Sequence, residues 1–214
     1  MPMTTVIFDY GCVLCLKPVP ADFELLRKAI GADLANFEET YWRYRDAYDL
    51  DTLDASAYWQ EFGRDVGVNF SPAQIHKLAA LDCHIWGKTN LVMVEWVRLL
   101  RGRGLKTAVV SNISRTVGDY LRRTHRWLGL FNQICFSGEL KIMKPSPAIF
   151  HACLKALGEP ASQTLFIDDH EANIAAARAL GMNGIVFSSM DRLQTDLEPY
   201  GLAESLAEAK ARAS

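Results

Sequence analysis

Val6-Ile7-Phe8-Asp9-Tyr10-Gly11-Cys12-Val13-Leu14 sets an apolar run directly against a carboxylate, breaks at a glycine and then resumes. A strand buried on both faces of a parallel sheet reads as such a short, continuous apolar run. Asp9 would then stand where the strand leaves the sheet. Open α/β sheets bind ligands outside the carboxyl ends of their strands. An aspartate at that point either does chemistry, as a catalytic or metal-binding group, or caps the next element. The other strands decide between the two.

From Leu105 onward the pattern alternates strand and helix. Residues 105–110 run into Ser111-Asn112 and a helix follows over about 114–125. Residues 133–136 form a short strand, with a loop to Lys144-Pro145 and a helix over 146–157. Residues 164–167 run into Asp168-Asp169, then a helix over 171–180 ends at Gly181. Residues 184–187 make a fifth strand, and a C-terminal helix and tail begin at Leu193. Strands and helices at this spacing imply right-handed crossovers and a parallel sheet.

Between the first strand and Leu100 the chain has no convincing strand. Lys17-Pro18-Val19-Pro20 makes a stiff, extended exit, because proline removes donors and disfavours helix before it. Phe23, Leu25, Leu26, Ala29 and Ile30 carry helical spacing up to Gly31, and residues 37–48 read as a further helical stretch. Tyr58, Trp59, Phe62 and Val66 recur at helical spacing within 54–66. Ser71-Pro72-Ala73-Gln74 is a helix start, with Ser as cap, Pro at the first helical position and Gln able to complete a capping box. Residues 91–100 close the set. The aromatics Tyr41, Trp42, Tyr44, Tyr48, Tyr58, Trp59 and Trp86 are expected mainly in helix–helix packing, with some lining a pocket. The expected architecture is α/β, a Rossmann-like parallel sheet with helices on both faces. Residues 1–16 and 101–214 make this core, and residues 17–100 an inserted α-helical cap over the sheet's carboxyl edge.

Composition narrows the function classes. Half of the 214 residues are hydrophobic and 22% are charged, enough for one large domain or a core with an insertion. A formal net charge of −2 and a pI near 6.2 provide no basic footprint for nucleic acid or an anionic membrane. No apolar run reaches the ~18 residues of a spanning helix, and no secretory leader is legible at the N-terminus. Cys12, Cys15, Cys83, Cys135 and Cys153 are an odd, scattered set, mostly in apolar segments, as reduced thiols are. Cys12-x-x-Cys15 has redox spacing without redox context, so packing is expected of both. A cytoplasmic protein is expected, as a monomer or homodimer.

Three strands end in polar groups suited to one site: Asp9, Ser111 and Asp168-Asp169. Lys144 follows a fourth. Parallel strands bring their carboxyl ends to one edge, so these groups can converge despite their separation in sequence. Clustered carboxylates hold a hard divalent cation such as Mg²⁺. A lysine and a hydroxyl with nearby backbone N–H groups hold phosphate oxygens. An aspartate can attack phosphorus to give an aspartyl-phosphate, with positive charge neutralising the equatorial oxygens. Singly, Asp168-Asp169 reads as a helix cap favoured by the dipole, Lys144 as a solvated charge and Ser111 as a turn former. Their order and spacing together point to chemistry.

At these residues the chain resembles the haloacid dehalogenase-like hydrolase superfamily over nearly its whole length, the helical insertion matching the first-position cap. Residues 6–14 look like the first motif, whose leading aspartate, here Asp9, is the nucleophile. Val109-Val110-Ser111-Asn112 looks like the second motif, which binds the transferring phosphoryl group. Lys144-Pro145-Ser146-Pro147-Ala148-Ile149-Phe150 is similar to the third, with Lys144 binding phosphate. Phe166-Ile167-Asp168-Asp169, continued by Asn173, resembles the acidic fourth. The resemblance implies Mg²⁺ held mainly by Asp169, by Asp168 directly or through water, by Asp9 and by the Gly11 carbonyl. Ser111, Asn112 and Lys144 would bind the substrate's phosphate.

One position departs from the family's phosphatases. Two residues after the nucleophile they carry a second aspartate, which protonates the leaving group and then activates water. Here it is Gly11. The Asp-x-Gly pattern is similar to a capped bacterial branch that includes sugar-phosphate phosphatases of the glucose-1-phosphate type. His170, Cys12 or a cap residue could stand in, and the sequence picks none. The expected function is Mg²⁺-dependent hydrolysis of a small phosphorylated metabolite, a sugar phosphate among the candidates. The alternatives are a weakly active or non-catalytic binding protein and a metal-independent 2-haloacid dehalogenase. The Asp168-Asp169 pair speaks against the dehalogenase. For the pocket, Arg43, Arg45, His84, Trp86 and Lys88 are candidates, being polar or aromatic and near expected helix ends.

Overall fold

The computed structural model describes residues 2–31 and 36–213. Among these residues five parallel strands form one sheet: β1 (Thr5–Phe8), β2 (Lys106–Ser111), β3 (Gln133–Phe136), β4 (Thr164–Asp168) and β5 (Asn183–Val186). Their order is β3-β2-β1-β4-β5, with β1 at the centre. Phe8 pairs in register with Val109 on one side and Ile167 on the other. The insertion carries helices α1 (Pro20–Ile30), α2 (Phe37–Arg43), α3 (Arg45–Asp49), α4 (Ala55–Asp65) and α5 (Pro72–Trp86). Beyond it come α6 (Leu91–Gly102), α7 (Arg115–Thr124), the single turn α8 (Ser137–Leu140) and α9 (Pro147–Leu157). The last three are α10 (Glu171–Ala179), α11 (Met190–Asp196) and α12 (Ala203–Ala213).

Alternation along β1 explains the two-faced burial. Successive side chains point to opposite faces of a sheet. Val6 and Phe8 pack with Val109 and Leu165 against residues of α6, α7, α11 and α12. Ile7 packs with Val110 and Phe166 on the other face, under Phe150 and Cys153 of α9 and Ile174 of α10. Both faces of β1 are therefore sealed, and none of Val6, Ile7 and Phe8 has exposed surface. Among the described residues no helix is long and apolar enough to cross a membrane. All five cysteines are free thiols, as expected.

Three details differ from the sequence reading. Residues 91–100 were expected in the insertion. Instead Met93, Trp96, Val97 and Leu100 bury against the sheet, and the Trp96 indole donates to Ser205 Oγ of α12 at 2.8 Å. An apolar helix stripe carries no label for the partner it will cover, so periodicity alone could not assign α6. Residues 37–48 form two short helices rather than one stretch, broken at Tyr44. The expected C-terminal helix is also two, α11 and α12.

The insertion has its own core, in which Tyr41, Tyr48, Tyr58 and Trp59 are fully buried, as expected of them, together with Phe62. At its centre lies a charge. Arg45 Nε donates to Asp49 Oδ1 at 3.1 Å, while Nη1 donates to Asp82 Oδ1 at 3.1 Å and to the Tyr41 hydroxyl at 2.6 Å. The capping box anticipated at Ser71 and Gln74 begins α5. Two seams join the insertion to the sheet layer. Its entry and exit pair, with Leu16 N–H donating to Lys88 O at 2.7 Å and Asn90 N–H to Leu14 O at 2.9 Å. On the far side, Ser137 Oγ donates to Asp49 O at 2.6 Å, and the Asp51 carboxylate pairs with Arg115 and Lys141.

Removing one partner of a buried ion pair strands the other. Asp82→Ala should therefore cost about 3–5 kcal/mol of stability. Urea denaturation followed by tryptophan fluorescence measures this, and a loss below about 1 kcal/mol would mean that Asp49 alone suffices for Arg45.

Candidate active site

The site begins where β1 stops. Asp9 N–H still makes a sheet bond, donating to Ile167 O at 2.8 Å, and its side chain turns over the strand end. Asp9 Oδ1 accepts from Tyr10 N–H at 2.7 Å. The chain then passes through an extended Gly11 and a left-handed Cys12 (φ 54°), and Cys15 N–H closes the turn on Tyr10 O at 2.9 Å. Gly11 itself has φ −58°, open to any residue, and a Cβ placed there would meet only Asp9 Oδ2, at an ordinary 3.7 Å.

Lys144 is the hub. Its Nζ lies 2.8 Å from Asp9 Oδ1 and 2.6 Å from Asp168 Oδ2, and all three side chains are buried. The backbone of Lys144 is fixed by Asn112: Lys144 N–H donates to Asn112 Oδ1 at 2.8 Å, and Asn112 Nδ2 donates to Lys144 O at 3.0 Å. Asp168 accepts at both oxygens. Its Oδ1 takes the His170 N–H at 2.7 Å, and Asn173 Nδ2 reaches both oxygens at 3.1 Å. Ser111 is buried and lines the same cavity as Asp9. The loops after β1, β2, β3 and β4 thus each supply a side chain to one cluster.

The electrostatics follow from burial. Loss of water pushes the Asp9 carboxyl up to about 6, Lys144 opposing and Asp168 adding to the rise. Above that pH Asp9 carries a negative charge. Burial alone would lower the Lys144 ammonium, but Asp9 and Asp168 outweigh it and hold it above its ordinary value. Asp9, Asp168 and Asp169 offer oxygens within 4.8 Å of one another. Three carboxylates against one ammonium leave a formal charge of about −2, and an all-oxygen donor set suits a hard divalent cation. Asp168 is saturated by Lys144, Asn173 and His170, whereas Asp169 is partly open to the cavity.

Above the cluster is a cavity of about 490 Å³, bounded below by Asp9, Gly11, Ser111, Asn112, Lys144 and Asp169. Trp42, Arg45, Asp46, Asp49 and Trp86 of the insertion form its other wall. Arg45 and Trp86 are therefore where the sequence reading put them. Arg43, His84 and Lys88 are not: Arg43 pairs outside with Glu39 and Asp65, Lys88 pairs with Asp22, and His84 is exposed. Helix ends mark several surfaces at once, so position alone misassigned them. Tyr10, Asp46, Asp49 and Met143 also line the cavity and were not singled out. Asp49 had one signal, its placement four residues after Arg45, the spacing of a helical ion pair. Burial raises its carboxyl to about 6 against the opposing pull of Arg45.

The description "haloacid dehalogenase-like hydrolase" matches residues 3–181. The chain belongs to this family. It is 31% identical over 180 residues to haloacid dehalogenase-like hydrolase domain-containing protein 3 of Danio rerio, covering 75% of this chain and 70% of that protein. It is 26% identical over 192 residues to the sesquiterpene phosphatase astK of Aspergillus oryzae, covering 90% and 92%. A HAD family enzyme of Bacteroides thetaiotaomicron, crystallised with magnesium and inorganic phosphate, superposes with a TM-score of 0.71 at 19% identity, covering 87% and 94%. That last likeness is one of fold.

Gly138 is pressed against the loop after β2. A Cβ there would lie 2.6 Å from Arg115 N and 2.9 Å from Ile113 O, both rigid backbone. Gly138→Ala should push that loop, and Ser111-Asn112 with it, away from Lys144. The expected result is reduced affinity for inorganic phosphate by calorimetry with the fold retained by circular dichroism; unchanged phosphate affinity would refute it.

Proposed function

We propose that the protein is a Mg²⁺-dependent phosphomonoesterase that works through an aspartyl-phosphate on Asp9. The observation that carries this reading is the buried Asp9–Lys144–Asp168 array at the floor of a cavity. An ammonium there faces both a nucleophile and the charge that develops on a transferring phosphoryl group. An Asp9 oxygen attacks phosphorus as the ester P–O bond breaks, and the departing oxygen takes a proton. Water then attacks the same phosphorus, releasing inorganic phosphate and restoring the Asp9 carboxylate. Ser111, Asn112 and Lys144 would orient the phosphoryl oxygens. Mg²⁺ would be held by Asp9, Asp169 and the Gly11 carbonyl, with Asp168 reaching it through water, and when bound it neutralises phosphoryl charge.

The phosphatase name of the Aspergillus oryzae relative supports the reaction class, and the magnesium and phosphate in the Bacteroides thetaiotaomicron enzyme support the metal. A metal-independent dehalogenase would have no use for three clustered carboxylates. Gly11 supports slow turnover, because its position offers no proton. In this proposal water supplies that proton.

Asp9→Asn should abolish release of phosphate from p-nitrophenyl phosphate, and a chelator should do the same reversibly. Activity that survives Asp9→Asn would sink the proposal. Gly11 has room for a side chain, and general acid–base help is worth ~10²–10⁴ in rate. Gly11→Asp should therefore raise kcat, by about 10-fold or more; a fall in kcat with the fold intact would show that water is not the limiting proton source.

A further inference from the structure

The cavity walls indicate what the phosphate is attached to. Trp42 lines the cavity yet is half exposed, lying edge-on to Trp86 with ring centroids 6.1 Å apart. Ile113, Val117 and Met143 extend the apolar wall from the sheet side. The polar groups among these residues are already committed within the protein. The Tyr10 hydroxyl donates to Trp86 O at 2.8 Å, and Trp86 Nε1 donates to the Tyr41 hydroxyl at 2.9 Å. Asn112 is closed on the Lys144 backbone, and Arg45 Nε and Nη1 on Asp49 and Asp82. Among the described residues this leaves Arg45 Nη2, the Trp42 indole N–H and the exposed His170 ring without a hydrogen bond, and the exposed Asp46 as an acceptor.

A sugar carries several hydroxyls, each donor and acceptor, and would give up water for a largely apolar wall with few free partners to replace it. Apolar and aromatic groups lose nothing there, and a half-exposed indole gains cover. We propose that the substrate is a phosphate monoester of an apolar group, aromatic or long aliphatic, and that Trp42 is the residue that selects it. The proposal rests on the phosphomonoesterase reading and replaces its sugar-phosphate candidate.

The test compares Mg²⁺-dependent hydrolysis of naphthyl phosphate and octyl phosphate with that of glucose phosphate and glycerol phosphate. The apolar pair should show kcat/KM about 10-fold or more above the hydroxylated pair. Trp42→Ala should shrink that ratio through a raised KM for the apolar esters, and Trp42→Phe should keep most of it. Equal or better use of glucose phosphate, or a ratio indifferent to Trp42→Ala, overturns the proposal while leaving the phosphomonoesterase intact. If no ester is hydrolysed, the phosphomonoesterase reading is what fails. Quenching of tryptophan fluorescence by a naphthylmethyl phosphonate against a sugar phosphonate then decides the ligand class. Tighter binding of the apolar compound sustains it, and equal or weaker binding overturns it.

Discussion

Everything at the sheet's carboxyl edge is arranged around one buried ammonium. Lys144 lies in contact with Asp9 and Asp168 with almost no access to water. A charge so placed is tolerable only with partners at hydrogen-bonding distance. The partners in turn need it, since two carboxylates at the end of adjacent buried strands would otherwise repel. Asn112 fixes the backbone that carries Lys144, and Asn173 with the His170 amide holds Asp168 in place. The cluster is thus over-determined, as preorganised sites are.

That arrangement divides the labour between the two layers. The sheet supplies a fixed, charged floor from four loops. The insertion supplies a wall whose own charge, Arg45, is balanced internally by Asp49 and Asp82 and surrounded by the rings of Tyr41, Tyr48 and Trp86. The charged floor and the insertion's wall therefore rest on separate packing cores.

The floor was legible in the sequence because a parallel sheet turns strand ends into a shared address. Asp9, Ser111, Asp168 and Asp169 could be gathered from apolar runs that each stop at a polar residue, and Lys144 from the loop after a fourth strand; the structure brings Asp9, Ser111, Lys144 and Asp169 to one cavity, with Asp168 buried against Lys144. The wall was not legible for a matching reason. A helix shows which of its faces is apolar but not what that face meets, so periodicity alone does not place α6 on the sheet. In the same way Arg43 and Lys88 looked as eligible for the pocket as Arg45 and Trp86. Gly11 was read correctly as an absence, but only the geometry shows that nothing demands glycine there: its φ is ordinary and its surroundings are open.

The two seams of the insertion differ in kind. One is backbone pairing beside the site, between Leu14–Leu16 and Lys88–Asn90. The other combines the buried Ser137 Oγ bond to Asp49 O with ion pairs from Asp51 to Arg115 and Lys141, whose side chains are about half exposed. A rotation of the insertion about the first seam that widened the cavity would have to separate the charges at the second. Exposed pairs are weak and fade as counterions shield them, over a Debye length of about 8 Å at physiological ionic strength. Added salt therefore weakens the ion pairs of the second seam and leaves the backbone pairing of the first intact.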